Sequence, residues 1–287
     1  GFDYAIAPAK PAGSIIDGIN LLEKLNVTIG KSTSDKIENL IPSEIKKLRE
    51  EDQKAWDNLI KRTEKICSTA ANLGVGVMID AEESWIQDPI DHVAMLMMEK
   101  FNKEKVVVFN TIQLYRSDRL QFLRDSYAHA EINNYHVGLK LVRGAYMEKE
   151  RERAEKSGYP SPIQLDKSST DKDYNEAILL AFEKIETCSV IIASHNENSN
   201  LLAANLAHKT GIALNHNHLH FSQLYGMSDN LTFNLADAGF NVSKYLPFGP
   251  VEEVIPYLMR RAQENSSVSG QTSRELNLLK TERKRRK

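Results

Sequence analysis

The chain is short of cysteine, tryptophan and net charge, and each shortage narrows what it can be. Its two cysteines, Cys67 and Cys188, stand far apart in 287 residues. That rules out a disulfide framework or thiolate metal spacing and suits a reducing compartment, with both thiols packed as small apolar groups. The formal net charge is −2, from 37 Lys and Arg against 39 Asp and Glu, which argues against bulk affinity for nucleic acid. The basic run Lys284-Arg285-Arg286-Lys287 closes a tail over 270–287, and fraying into solvent explains it without a partner. No apolar run approaches the length of a transmembrane helix, and no signal peptide is visible in the sequence, which begins at Gly1 rather than Met. No GxGxxG follows a strand, and there is no P-loop, HExxH or GxSxG, so a Rossmann dinucleotide site and an activated nucleophile are both unsupported.

What is present is an alternation of short β-branched runs and long charged helices, the pattern of a parallel sheet with crossover helices. Strands are expected at Val75–Asp80, Val106–Asn110, His136–Val142, Ser189–Ser194, His218–Ser222 and Asn241–Leu246, with a further one in Asp3–Ala9. Helices are expected at Pro42–Leu73, Asp88–Asn102, Ser117–Asn133, Asp173–Glu186, Ser199–Thr210 and Ser228–Ala238. The length suits one β/α barrel, which runs to roughly 250 residues. The expected fold is therefore α/β: a single distorted (β/α)8 TIM-type barrel over 1–287, with 1–20 fitting the pattern poorly. Seven candidate strands are one short of closure; either a first strand is missing or the opening segment fills the gap irregularly. Tyr146–Asp173 reads as a long charged excursion, and a loop of that length is more often functional than accidental.

Polar residues gather just beyond the strand ends, where the active sites of β/α barrels lie. Asp80 and Glu82 could be paired acid–base carboxylates, or an N-cap and a first-turn acid of the next helix. His195 could be a base, a ligand or a core histidine bonded to backbone. His216, His218 and His220 share one face of an extended segment, but no acidic or cysteine partner lies nearby, so a polar strand entrance accounts for them better than a metal. No metal is expected. Near the C-terminus Tyr257, Arg260, Arg261 and Glu264 make one helical stripe, opposite Ile255, Leu258, Met259 and Ala262. Such a stripe can be a solvated face, or adjacent arginines beside a tyrosine can clamp a carboxylate.

Five ordered segments then carry a resemblance. Met78-Ile79-Asp80-Ala81-Glu82-Glu83, Leu141-Val142-Arg143-Gly144-Ala145-Tyr146, Ser194-His195-Asn196, Leu224-Tyr225-Gly226-Met227 and Tyr257 to Asn265 resemble the proline dehydrogenase family. The resemblance implies a distorted β/α barrel with FAD over the C-terminal strand ends. It implies that Arg260 and Arg261 pair with a substrate carboxylate, and that Tyr146, Leu224, Tyr245 and Tyr257 wall the proline ring. Asp80 would orient the network, Gln113 and Lys140 would contact the isoalloxazine, and Val142, Gly144 and Ala145 would give the flavin backbone and close approach. Lys167, Thr170, His195, Asn196, Ser222 and Gln223 would hold the ribityl, pyrophosphate and adenosine parts, and Glu264 would brace cofactor and arginines. Lys10 is the counterpart of an early-strand lysine, although 1–18 departs from the family's pattern and its early acidic loop residue is not found.

The activity so implied is oxidation of L-proline to Δ1-pyrroline-5-carboxylate, the first step of proline catabolism, with electrons passed to a membrane quinone. The place of action would be cytoplasmic with peripheral contact at a bacterial inner membrane, or the mitochondrial matrix face in a eukaryote. The rival readings are another flavin- or phosphate-binding barrel oxidoreductase, and a non-catalytic, truncated or engineered barrel of the same family.

Overall fold

A computed structural model describes residues 4–5, 49–252, 254–255, 257–259, 277 and 279–286. Lys10, Arg260, Arg261 and Glu264 lie outside the described residues. The described chain alternates as the sequence pattern requires: β1 (Tyr4–Ala5), α1 (Glu50–Leu73), β2 (Val77–Ile79), α2 (Ser84–Phe101), β3 (Val108–Gln113), α3 (Arg119–Asn133) and β4 (Val137–Val142). It continues with α4 (Met147–Ser157), α5 (Lys167–Glu183), β5 (Cys188–Ala193), α6 (Glu197–Thr210), β6 (Leu219–Leu224), α7 (Asp229–Asp237) and β7 (Asn241–Tyr245). The strands form one seven-stranded sheet in chain order, each parallel to the last.

Strand parity divides the sheet into two faces. On the outer face Val108, Ile112, Leu139, Leu141, Val190, Ile192, Leu219 and Phe221 are buried against Leu123, Tyr127, Tyr174, Ile178 and Ala203 of the helices. Each large side chain buried there stabilises the fold by about 1.5–3 kcal/mol. A separate cluster fills the inner face, where Met78, Phe109 and Ile191 touch with Val106 and Ala193 against them. Phe109 and Ile191 stand on strands separated by β4, and Gly138 of β4 leaves the space between. A Cβ there would fall 2.2 Å from the Val108 carbonyl oxygen and 2.8 Å from Val106 Cγ1. The inner face is concave, as a barrel wall must be.

Several boundaries differ from the sequence expectation. Helix α2 begins at Ser84 rather than Asp88, with Pro89 inside it. Its start is capped from afar: fully buried Glu150 of α4 accepts the Ser84 N–H at 2.6 Å and the Ser84 hydroxyl at 2.7 Å. The excursion Tyr146–Asp173 is mostly helix, as α4 and about the first two turns of α5. Helix α4 buries only Glu150 and Ala154, so it lacks the apolar period that reveals helices in sequence. Gln113 is the last residue of β3 instead of lying after it. The basic tail is helical at 279–285, where Glu282 accepts from Arg285 and Arg286 at 2.7 Å.

Candidate active site

Strand register collects the inner-face residues at the C-terminal rim. Thr111 stands beside Lys140, Gln113 beside Val142, and Leu224 beside Tyr245. Asp80, one residue past β2, meets them there. Lys140 Nζ lies 2.5 Å from Asp80 Oδ1, and the Thr111 hydroxyl donates to the same oxygen at 3.3 Å. Asp80 is thus an ion-pair partner and not a helix cap; the residue before α2 is Glu83, which makes no side-chain cap bond.

A second knot lies alongside. The Tyr146 hydroxyl donates to Glu82 Oε2 at 2.5 Å, and Gln113 Nε2 donates to the Glu82 carbonyl at 2.6 Å. Lys149 pairs with Glu83, and the cations of Lys149 and Arg153 stand over the Trp85 ring, 5.4 and 4.2 Å from its centroid. Helix α4 is thereby fastened to the start of α2. On the far side of the rim Tyr245 and Tyr257 pack with ring centroids 5.5 Å apart, and Leu224 is half-buried on the strand beside them.

The loop after β4 has its own geometry. The carbonyls of Val142 and Arg143 already accept from Leu114 and Tyr115 N–H, at 2.9 and 2.8 Å. Gly144 has φ +129°, and a Cβ there would meet the Tyr115 ring at 2.4 Å. The missing side chain therefore accommodates Tyr115, whatever else approaches the loop. Gly144 and Ala145 are exposed, so their backbone can meet a ligand.

Arg143 was given no role by sequence, and the structure makes it a hub. Its Nε donates to Asp171 Oδ1 at 2.8 Å, Nη1 to Ser194 Oγ at 2.7 Å and Nη2 to Ser199 Oγ at 2.9 Å. Its guanidinium carbon sits 4.3 Å from the centroid of the Tyr174 ring. Burial alone would raise the Asp171 pKa, but hydrogen bonds from Lys167 and Arg143 hold it below its ordinary value. Thr111 also escaped the sequence reading; its parity with Lys140 was the available signal. Arg143 carried none, because its parity is that of the outer face.

The remaining expected cofactor contacts divide. His195 Nδ1 and Ser228 Oγ are 2.9 Å apart, and Ser222 lies half-buried on the inner face beside Ala193. Lys167, exposed, pairs with Asp171. Three side chains are spent locally. Asn196 caps α6 by accepting the Ser199 N–H at 3.1 Å. The buried Thr170 hydroxyl donates to the Asp166 carbonyl of its own helix at 3.3 Å. Gln223 faces the helices, 2% exposed, accepting from Thr232 at 2.9 Å, so only its backbone faces the rim.

The histidines of the strand entrance are likewise engaged. His218 Nδ1 donates to the Ile185 carbonyl at 2.7 Å, and His220 Nε2 to the Asn217 carbonyl at 2.8 Å. Among the described residues no group of three His, Cys, Asp or Glu is arranged to hold a metal. Donors suited to a large anionic cofactor follow one another from β4 to α6: Lys140, the exposed Gly144–Ala145 backbone, Lys167 and the N-terminus of α6.

A parallel β/α barrel wall with an ionic, tyrosine-lined rim is the class of site defined by these contacts. The family model for proline dehydrogenase matches residues 9–274, and the chain belongs to that family. It is 40% identical over 247 residues to "Proline dehydrogenase 1, mitochondrial" of Caenorhabditis elegans, covering 84% of this chain and 40% of that one. It is 35% identical over 276 residues to the human protein of the same name, covering 95% of this chain and 45% of that one. The chain thus spans less than half the length of these two relatives. A crystal structure of proline utilization A from Bdellovibrio bacteriovorus, inactivated by N-propargylglycine, superposes with TM-score 0.70 at 26% identity, covering 76% of this chain and 22% of that one.

Proposed function

We propose that the protein oxidises L-proline to Δ1-pyrroline-5-carboxylate with FAD as its cofactor, passing the electrons to a quinone. The observation that carries this reading is the inner-face grouping of Asp80, Thr111 and Lys140, with Tyr146 nearby and the Tyr245–Tyr257 pair across the same rim of C-terminal strand ends, in a chain of this family. Bound FAD would supply the hydride acceptor. Asp80 holds the Lys140 ammonium in place on the barrel's inner face, ready to meet the isoalloxazine along with Gln113. Tyr146, Leu224, Tyr245 and Tyr257 wall a small ring and exclude water from it. Arg260 and Arg261 take the substrate carboxylate, a task suited to two fixed guanidinium forks.

The series of donors from Lys140 to the α6 N-terminus fits the dinucleotide part, with His195 and Ser222 alongside. Both cysteines are buried and His195 is engaged with Ser228 beside the dinucleotide part, so the flavin is held non-covalently. Among the described residues no helix is long and apolar enough to cross a membrane. Delivery of electrons to a quinone calls for contact with a membrane surface, at a bacterial inner membrane or on the mitochondrial matrix face.

The test is a spectrum and a substrate panel. Purified protein should be yellow, acid precipitation should release the flavin into the supernatant, and proline should reduce an artificial acceptor. A colourless protein that takes up no FAD, or one inert to proline but active on an unrelated substrate, overturns the reading.

A further inference from the structure

We infer that Arg143 is a positioning residue that sets the protein's grip on the adenosine diphosphate half of its cofactor. The inference rests on the FAD reading above. The Arg143 side chain is 21% exposed, and its three nitrogens are distributed over three separate elements: Asp171 on α5, Ser194 at the end of β5 and Ser199 on α6.

Each partner adjoins residues expected at the dinucleotide. Asp171 follows Thr170 and also pairs with Lys167. The Ser194 hydroxyl, besides accepting from Arg143, accepts the Asn196 N–H at 3.0 Å and so fixes the turn that carries His195. Ser199 donates its hydroxyl to Asn175 Oδ1 at 2.7 Å, and its N–H is the one capped by Asn196. Gly144 and Ala145 follow Arg143 itself. One planar guanidinium, stacked on the fully buried Tyr174 ring, therefore locks the loops after β4 and β5 and the first turn of α5 into a single frame. It also neutralises Asp171, whose carboxylate would otherwise repel a pyrophosphate. A lysine has a single nitrogen on a flexible stem and cannot hold three acceptors in fixed directions.

The isoalloxazine end depends on other residues, Gln113 and Lys140, on the inner face. The frame should accordingly matter for the dinucleotide and little for the ring system. Flavin-free wild-type chain, R143K and D171N are titrated with FAD and with riboflavin, following flavin fluorescence. The expected result is that R143K weakens FAD about tenfold or more, as for loss of a charge-assisted contact, while riboflavin affinity stays near wild type. The FAD-over-riboflavin preference therefore shrinks. D171N should shrink it in the same direction by less, since the serine anchors remain, and it carries the test if R143K does not fold. Equal weakening of FAD and riboflavin would mean that Arg143 merely supports the fold. That result, or an unchanged preference in the folded variants, overturns the inference alone. Wild-type chain that binds no FAD removes the function proposed above and this inference with it.

Discussion

Lys140 and Asp80 are 60 residues apart in sequence and 2.5 Å apart in space. They sit on β4 and just past β2, with β3 between them, and Thr111 of β3 reaches the same carboxylate oxygen. Register brings all three to one level of one face. Neutralising Asp80 with D80N frees the ammonium to leave the site, and K140M removes it. Each change should lower kcat/KM for proline about ten- to a hundredfold, the worth of a charge-assisted contact. The double variant should cost much less than the sum of the two. Fully additive losses would show that the two groups act separately.

Truncation of either arginine of the C-terminal stripe should act chiefly through KM. R260A and R261A are each expected to raise KM for proline about ten- to a hundredfold. Flavin content should fall more in R261A than in R260A. Wild-type KM in both variants would return the stripe to a solvated helix face.

Tyr245 and Tyr257, with centroids 5.5 Å apart, form a stiff aromatic wall at the end of β7. That wall should leave no room for an added ring hydroxyl, so proline should be preferred over 4-hydroxyproline. An apolar pocket rejects an extra hydroxyl only weakly, but collision with a fixed ring can reject it more strongly. Y245S should lower kcat/KM for proline and narrow the gap between the two substrates. Equal turnover of both by the unaltered enzyme would leave Tyr245 as a packing residue.

Glu150 is a stability prediction independent of function. Its carboxylate is fully buried and satisfies the Ser84 N–H and hydroxyl at the start of α2. E150A removes the acceptor of both donors, at a cost of about 1–3 kcal/mol, and should lower Tm by several degrees, as that loss does in a domain of this size. An unchanged Tm would mean that water replaces the cap freely.

His92 makes stability depend on pH. It stacks with Trp56 across α1 and α2, ring centroids 6.3 Å apart, and burial, with the charge of His129 adding, pushes it down to about 4. The unfolded chain keeps the ordinary value near 6.5. Between these values the unfolded state binds the extra proton, so stability from neutral His92 is complete above about pH 6.5 and is lost as the pH falls toward 4. Denaturant midpoints measured across that window should fall less steeply for H92Q than for wild type. Parallel curves would show that other groups govern the slope.

The alternation of elements was legible in the sequence because it rests on period. Every expected strand from Val75 to Leu246 appears, within a few residues, since short apolar runs set between long charged helices mark the alternation itself. Asp80 just past β2, Tyr146 beyond β4 and Tyr245 at the end of β7 drew notice because the barrel gathers strand ends on one rim, and Lys140 lies two residues before the end of β4.

Long-range partners were not legible. The start of α2 depends on Glu150, 66 residues away, and no local rule could move it from Asp88 to Ser84. Helix α4 hid because it buries almost nothing apolar. Asn196 and Thr170 also bond within the chain, to Ser199 N–H and the Asp166 carbonyl, and polarity at a strand or helix end does not reveal such partners. The need for glycine at 144 has a partner that sequence does not reveal, the ring of Tyr115, which a Cβ would meet. Arg143 shows the division most clearly. Sequence fixes its charge, its place after β4 and its outward parity. Only the packing of α5 and α6 on the sheet brings Asp171, Ser194 and Ser199 within reach of one guanidinium, because those contacts depend on the distance between elements and not on any residue's own propensity.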